Sequence, residues 1–231
     1  MLSECDSIVF LLDVDNTLLD NDRFSDDLDD RLRKDFGESE RVRYRDIYSE
    51  LRDRMGFADY LGTLQEFRRG ITAQAEEKLL GMSMFLLDYP FAQRVYPNVR
   101  EVIQHLDTIG TTAILSDGDI VFQPRKIQRS GLWDMVHGRV MLTMHKELSV
   151  DDVEQRYPAD HYVMVDDKPS LLSTLKAQLG ERITTVFVAQ GHYANDPDNA
   201  DVQSNMDISL ASITELASVD RGRFLPRSSG A

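Results

Sequence analysis

Two pairs of aspartates stand where short apolar runs end. Asp13 and Asp15 follow Ile8-Val9-Phe10-Leu11-Leu12, and Asp166-Asp167 follow Tyr162 to Val165. Both runs are continuous and rich in β-formers, the pattern of a strand covered on both faces in a parallel sheet. Acids at the tip of such a strand are costly unless a cation meets them. If the two strands are neighbours, four carboxylates converge on one small volume, and their repulsion raises their pKa values unless a divalent ion neutralises them. Hard oxygen ligands, a single cysteine (Cys5) and five histidines without metal-ligand spacing favour Mg²⁺. One pair alone reads as readily as a strand end or a helix cap. Two pairs at two strand tips point to a metal-dependent site.

Elements that could position such tips recur along the chain. Thr112 to Leu115 and Ile183 to Val188 read as further buried strands, with Val136 to Leu142 a weaker one interrupted by Gly138 and Arg139. Between them lie helical patterns. Val99, Val102, Ile103 and Leu106 share a stripe that Gly110 ends, and Ser170 can cap a helix running to Leu179 and closed by Gly180. Strands alternating with helices predict an α/β fold with a doubly wound, mostly parallel sheet, whose ligands bind beyond the carboxyl ends of the strands.

Residues 20–95 break this rhythm and contain no strand-like run. Ser25 can cap a helix carrying Leu28, Leu32 and Phe36, with Gly37 as its stop. Ser39 opens a second helix with Tyr44, Ile47, Tyr48 and Leu51 on one side, ended by Gly56, and one or two more helices cover Tyr60 to Leu87. The expected organisation is an α/β core over 1–19 and 96–231 with an inserted all-helical domain over 20–95. The acidic run from Asp20 to Asp30 reads as a solvated helix start, Trp133 as a core residue, and the tail over 221–231 as frayed.

The 231 residues carry a net charge of −14, which argues against nucleic acid as a partner but leaves room for a local cationic pocket. The longest apolar runs are far too short to cross a bilayer, and Glu4 and Asp6 replace the positive region of a signal peptide. A single cysteine precludes an internal disulfide framework. The simplest expected location is the cytoplasm.

Asp13-Val14-Asp15-Asn16-Thr17-Leu18 resembles the first motif of the haloacid dehalogenase-like superfamily, Asp-x-Asp-x-Thr/Val-Leu/Val/Ile. Three further positions follow in the family's order. Ser116, closing Ala113-Ile114-Leu115, resembles the second motif; Lys146 resembles the lysine of the third; Asp166-Asp167 resembles the acidic fourth. The helical insertion falls where the family places its C1-type cap. The resemblance implies a phosphatase that hydrolyses a small phosphorylated metabolite through an aspartyl-phosphate.

By that resemblance Asp13 is the nucleophile and Asp15 the general acid and base. Asp13, the backbone carbonyl of Asp15, and Asp166 hold Mg²⁺, with Asp167 contributing through a water or orienting its neighbour, while Ser116 and Lys146 bind the phosphoryl group beside Asp117 and Gly118. The dehalogenases of the superfamily lack an acid at the position of Asp15. Lys126 and Lys168 compete with Lys146 for the lysine role, since Glu147 follows Lys146 where relatives often carry Pro. Asp119 is read as a helix cap. Segments near 19–23 and 90–96 would serve as hinges, and Arg52, Arg54, Arg68 and Arg69 as either a second anion contact or exposed helix charges. A phosphomutase, a phosphate-accepting signalling domain and a non-catalytic phosphate-binding module are the competing expectations.

Overall fold

The computed structural model describes residues 7–72, 75–195 and 205–225. Among the described residues six strands run parallel: β1 (Ile8–Leu12), β2 (Thr111–Asp117), β3 (Val140–Thr143), β4 (His161–Asp166), β5 (Ile183–Val188) and β6 (Ile208–Leu210), in the spatial order β3-β2-β1-β4-β5-β6. All five residues of β1 are buried, as an unbroken apolar run at the centre of a parallel sheet must be. Its alternation splits the core in two. Ile8, Phe10 and Leu12 pack on one face, Val9 and Leu11 on the other. Each fully buried Leu or Phe contributes about 1.5–3 kcal/mol of transfer free energy.

The helices are α1 (Asn21–Phe36), α2 (Glu38–Met55), α3 (Tyr60–Arg68), α4 (Glu76–Asp88), α5 (Val99–Ile109), α6 (Phe122–Ser130), α7 (Leu132–Met135), α8 (Val150–Arg156) and α9 (Pro169–Leu179). α5 buries Val99, Val102, Ile103 and Leu106, the stripe expected from the sequence. α1 to α4 form the helical insertion between β1 and β2. The two crossings into and out of it are paired: the amide of Asp20 donates to the carbonyl of Arg94 at 2.7 Å, and that of Tyr96 to Leu18 at 3.0 Å. Leu19 forms an antiparallel bridge with Val95 between them. α2 ends at Gly56, whose left-handed φ of +81° favours glycine and which lies against the imidazole of His145.

Several expectations differ from the structure. α1 starts at Asn21, not after Ser25, because the side chain of Asp20 already caps it by accepting from the amide of Arg23 at 2.9 Å. α9 begins with Pro169 at its first turn, so Ser170 lies inside it. The acidic run is not simply solvated. Asp29 accepts from Arg45 at 2.6 Å and Arg41 at 3.2 Å, while Asp27 accepts from Arg94 at 2.8 Å and from the phenol of Tyr89. These bonds join α1 to α2 and to the return crossing. Trp133 is 37% exposed, since α7 is a single turn that buries Leu132 and packs Met135 on the core while Trp133 lies on the other side. The start of the tail is ordered: Phe224 is fully buried, its ring 5.0 Å from that of Phe10, and its carbonyl accepts from Thr184 Oγ1. Residues 226–231 and the segment holding Glu4, Cys5 and Asp6 lie outside the described residues. No helix among the described residues is long and apolar enough to cross a membrane.

Candidate active site

Parallel pairing of β1 with β4 sets Leu12 opposite Val165, so both strands end at the same level. The amide of Asp13 donates to the carbonyl of Val165 at 3.0 Å, which locks the tip of β1 beside Asp166. One carboxylate oxygen each from Asp13, Asp166 and Asp167 lies within 4.8 Å of the others, and all three residues are buried. Both oxygens of Asp167 are buried without a hydrogen-bond partner among the described residues. Burial, then the charges of Asp166 and Asp13, push its carboxyl well above the usual range; burial also raises Asp166, against the pull of Lys146. An orphaned, crowded carboxylate at a strand tip is what a hard divalent cation would satisfy, and these three acids fit Mg²⁺.

Lys146 lies in the turn of 3₁₀ helix Lys146–Leu148 after β3, with its ammonium between the two strand tips. Its Nζ donates to Asp13 Oδ1 and, at 2.7 Å, to Asp166 Oδ2. Burial would lower its pKa, but the facing charges of Asp13 and Asp166 outweigh this and raise it. Lys146 is therefore a fixed cation against Asp13.

Asp15 does not join the acidic group, so three carboxylates meet where the sequence suggested four. The chain leaves the strand after Asp13: Val14 turns into the core and Asn16 adopts a left-handed φ of +59°. The Asp15 carboxylate faces α6 instead. Lys126 Nζ donates to its two oxygens at 2.8 and 2.9 Å, and Gln123 Nε2 lies 3.4 Å from Oδ2. The same Gln123 amide donates to Ser116 Oγ at 2.9 Å, which brings the end of β2 and Asp15 to one place. Gly118 makes room for this, since a Cβ there would lie 2.9 Å from Cβ of Gln123. Asp117 turns back to accept from Thr143 Oγ1 at 2.6 Å, and burial raises its pKa. Asp119 caps α6 by accepting from the amides of Val121 and Phe122.

The three lysines thus take separate places. Lys168 follows the acidic pair, its ammonium 5.9 Å from the centre of the Tyr193 ring, with burial opposed by Asp166, Asp13 and Asp167 and a net raised pKa. Of the arginines in the insertion, Arg52 donates to the phenol of Tyr193 at 2.9 Å and Arg69 pairs with Glu66. Gln123 is the residue the sequence did not flag. Its one signal was a polar Gln123-x-x-Lys126 pair at helical spacing, on the face of α6 that also carries Phe122 and Ile127.

No protein-family model matches the chain, and no curated protein matches it. Among solved structures it is similar to a haloacid dehalogenase-like hydrolase from Burkholderia xenovorans LB400, at 51% identity over 93% of this chain and 99% of that one, with a TM-score of 0.86. A HAD hydrolase from Bacillus subtilis bound to magnesium shares the fold at 16% identity, 91% and 97% coverage and a TM-score of 0.61. An L-2-haloacid dehalogenase from Xanthobacter autotrophicus with covalently bound chloropropionic acid does so at 18% identity, 93% and 98% coverage and 0.58.

Proposed function

Since the chain belongs to the haloacid dehalogenase-like hydrolases, we propose that it is a Mg²⁺-dependent phosphatase acting on a small phosphate monoester. The observation that carries this reading is Asp15, an acid two residues beyond Asp13 and joined to Ser116 through Gln123. Dehalogenation releases a halide that needs no proton, whereas an alkoxide leaving a phosphate ester does.

In this reading a carboxylate oxygen of Asp13 attacks phosphorus in line with the ester oxygen. The P–O ester bond breaks as the bond to Asp13 forms, and Asp15, entering this step as the protonated acid, delivers its proton to the departing alcohol and is left as the carboxylate. Water then attacks the aspartyl-phosphate, Asp15 takes its proton, and inorganic phosphate leaves Asp13 restored. Proton transfer of this kind typically contributes about 10²–10⁴-fold. Ser116 donates its hydroxyl to a phosphoryl oxygen, and Lys146 offsets the negative charge of Asp13 and the transferring group. Mg²⁺ held by Asp13, Asp166 and Asp167, with the Asp15 carbonyl, would supply further charge neutralisation at the phosphoryl oxygens. The helical insertion would act as a cap that excludes water from the site.

The test is phosphate release from sugar phosphates, nucleotides and small organic phosphates, with Mg²⁺ and with a chelator, alongside halide release from 2-haloacids. Metal-dependent phosphate release is expected. Halide release without phosphate release would overturn the reading, and isomer formation in place of free phosphate would redirect it to a mutase.

A further inference from the structure

Lys126 is only 1% exposed and sits on α6 with its ammonium pointing into the seam between the core and the insertion. Its partners are few and specific. The two oxygens of Asp15 accept from it, and so does Asn21 Oδ1 at 3.0 Å, the first residue of α1. Four rings surround the ammonium at 5.6–6.0 Å: Phe24 from α1, Tyr60 from α3, Phe91 from the return crossing and Phe122 from α6 itself. Ring faces attract a cation but do not replace its hydration, so an ammonium here must keep oxygen partners, and Asp15 supplies two of the three. Asp15 is held by the same necessity.

We propose that Lys126 is a positioning residue for Asp15, tying the carboxylate that serves the leaving oxygen to the root of the helical insertion. The proposal rests on the reading of Asp15 as proton donor. Asn21 is the link to the insertion, because Asn16 Oδ1 accepts from the amides of Asn21 and Asp22 and fixes the first turn of α1 over the Asp13–Asp15 loop. Two of the four rings, Phe24 of α1 and Tyr60 of α3, belong to the insertion and reach the ammonium because the insertion packs on α6. Lys126 thereby couples the aim of the acid to closure over substrate.

The experiment compares hydrolysis of a series of phosphate monoesters whose leaving groups range from p-nitrophenol to simple alcohols. Lys126→Met keeps the aliphatic stem against the rings and removes the ammonium. The expected result is a loss of kcat/KM, which reports only the steps up to transfer onto Asp13, of about 10²-fold for alkyl esters, in the range for one proton-transfer role. p-Nitrophenyl phosphate, whose leaving group needs no proton, should stay within about threefold. Lys126→Arg keeps the charge and the fold but moves the donors, and gives a smaller loss of the same selective kind, so it serves if the Met variant does not fold. Asp15→Asn is the control. An unchanged alkyl-to-aryl ratio of kcat/KM in that variant overturns the role of Asp15 as proton donor. A changed ratio there, with an unchanged ratio in both Lys126 variants, overturns the role of Lys126 alone.

Discussion

Nδ1 of His192 lies 2.8 Å from Oδ1 of Asp22, joining the segment after β5 to the first turn of α1. Asn16 donates to the same carboxylate oxygen at 3.0 Å. Burial would raise the pKa of Asp22, but these hydrogen bonds outweigh it and hold the group below its ordinary value. A depressed carboxylate stabilises the folded state above its unfolded pKa, and that contribution fades as pH falls through the folded value. Asp22→Asn is therefore expected to lower the urea midpoint at neutral pH. The difference from the parent protein should narrow below about pH 4. A difference that stays constant from neutral to acid pH would show that the contact is not ionic.

Asp13→Asn should reduce phosphate release to the level of a buffer blank, because an amide cannot attack phosphorus. The variant keeps an oxygen to accept from Lys146, so its circular dichroism spectrum and thermal midpoint should stay close to the parent's. Turnover in the folded variant would remove Asp13 as nucleophile.

Asp167 gives the opposite sign to Asp22. Its folded pKa is raised by burial and by Asp166 and Asp13, so metal-free protein loses stability as pH climbs from the unfolded carboxylate value through the raised one. In chelator at neutral pH, Asp167→Asn is expected to melt higher than the parent. The gap should close as pH falls toward about 4, where both side chains are neutral. Added Mg²⁺ should raise the midpoint of the parent more than that of the variant. A parent protein whose midpoint ignores Mg²⁺ would argue against the three acids as ligands.

Phe224→Ala removes a fully buried ring packed edge-on to Phe10 of the central strand. Truncations of this type cost about 3–5 kcal/mol, depending on how far the site collapses. Urea unfolding followed by tryptophan fluorescence would measure it. A cost below about 1 kcal/mol would mean that the C-terminal turn contributes little to the core.

What the sequence revealed and what it hid divide along physical lines. Asp13 and Asp166 were legible because a doubly buried strand has no place for an acid except at its tip, and because parallel neighbours end level. Gln123 was not, and Lys126 was legible only as a rival to Lys146, not as the partner of Asp15. A lysine on a helix looks like a solvated charge until the packing shows which face of α6 is turned to the seam. The start of α1 was misplaced because Ser25 is a good capping residue, but Asp20 takes that role by accepting from the amide of Arg23, and Asn16 holds the amides of Asn21 and Asp22. β6 escaped notice because three residues at a sheet edge carry too little periodicity to register.

The hydrogen bonds that run between Asp20 and Arg94 and between Leu18 and Tyr96 bind the two strands entering and leaving the insertion into one ribbon. A lobe hung on two separate threads can slide, twist or tilt. Hung on a ribbon, it swings as a door does, about a single line. Gly56 at the end of α2 meets the imidazole of His145 next to Lys146, so such a swing would open or close that contact beside the acidic site.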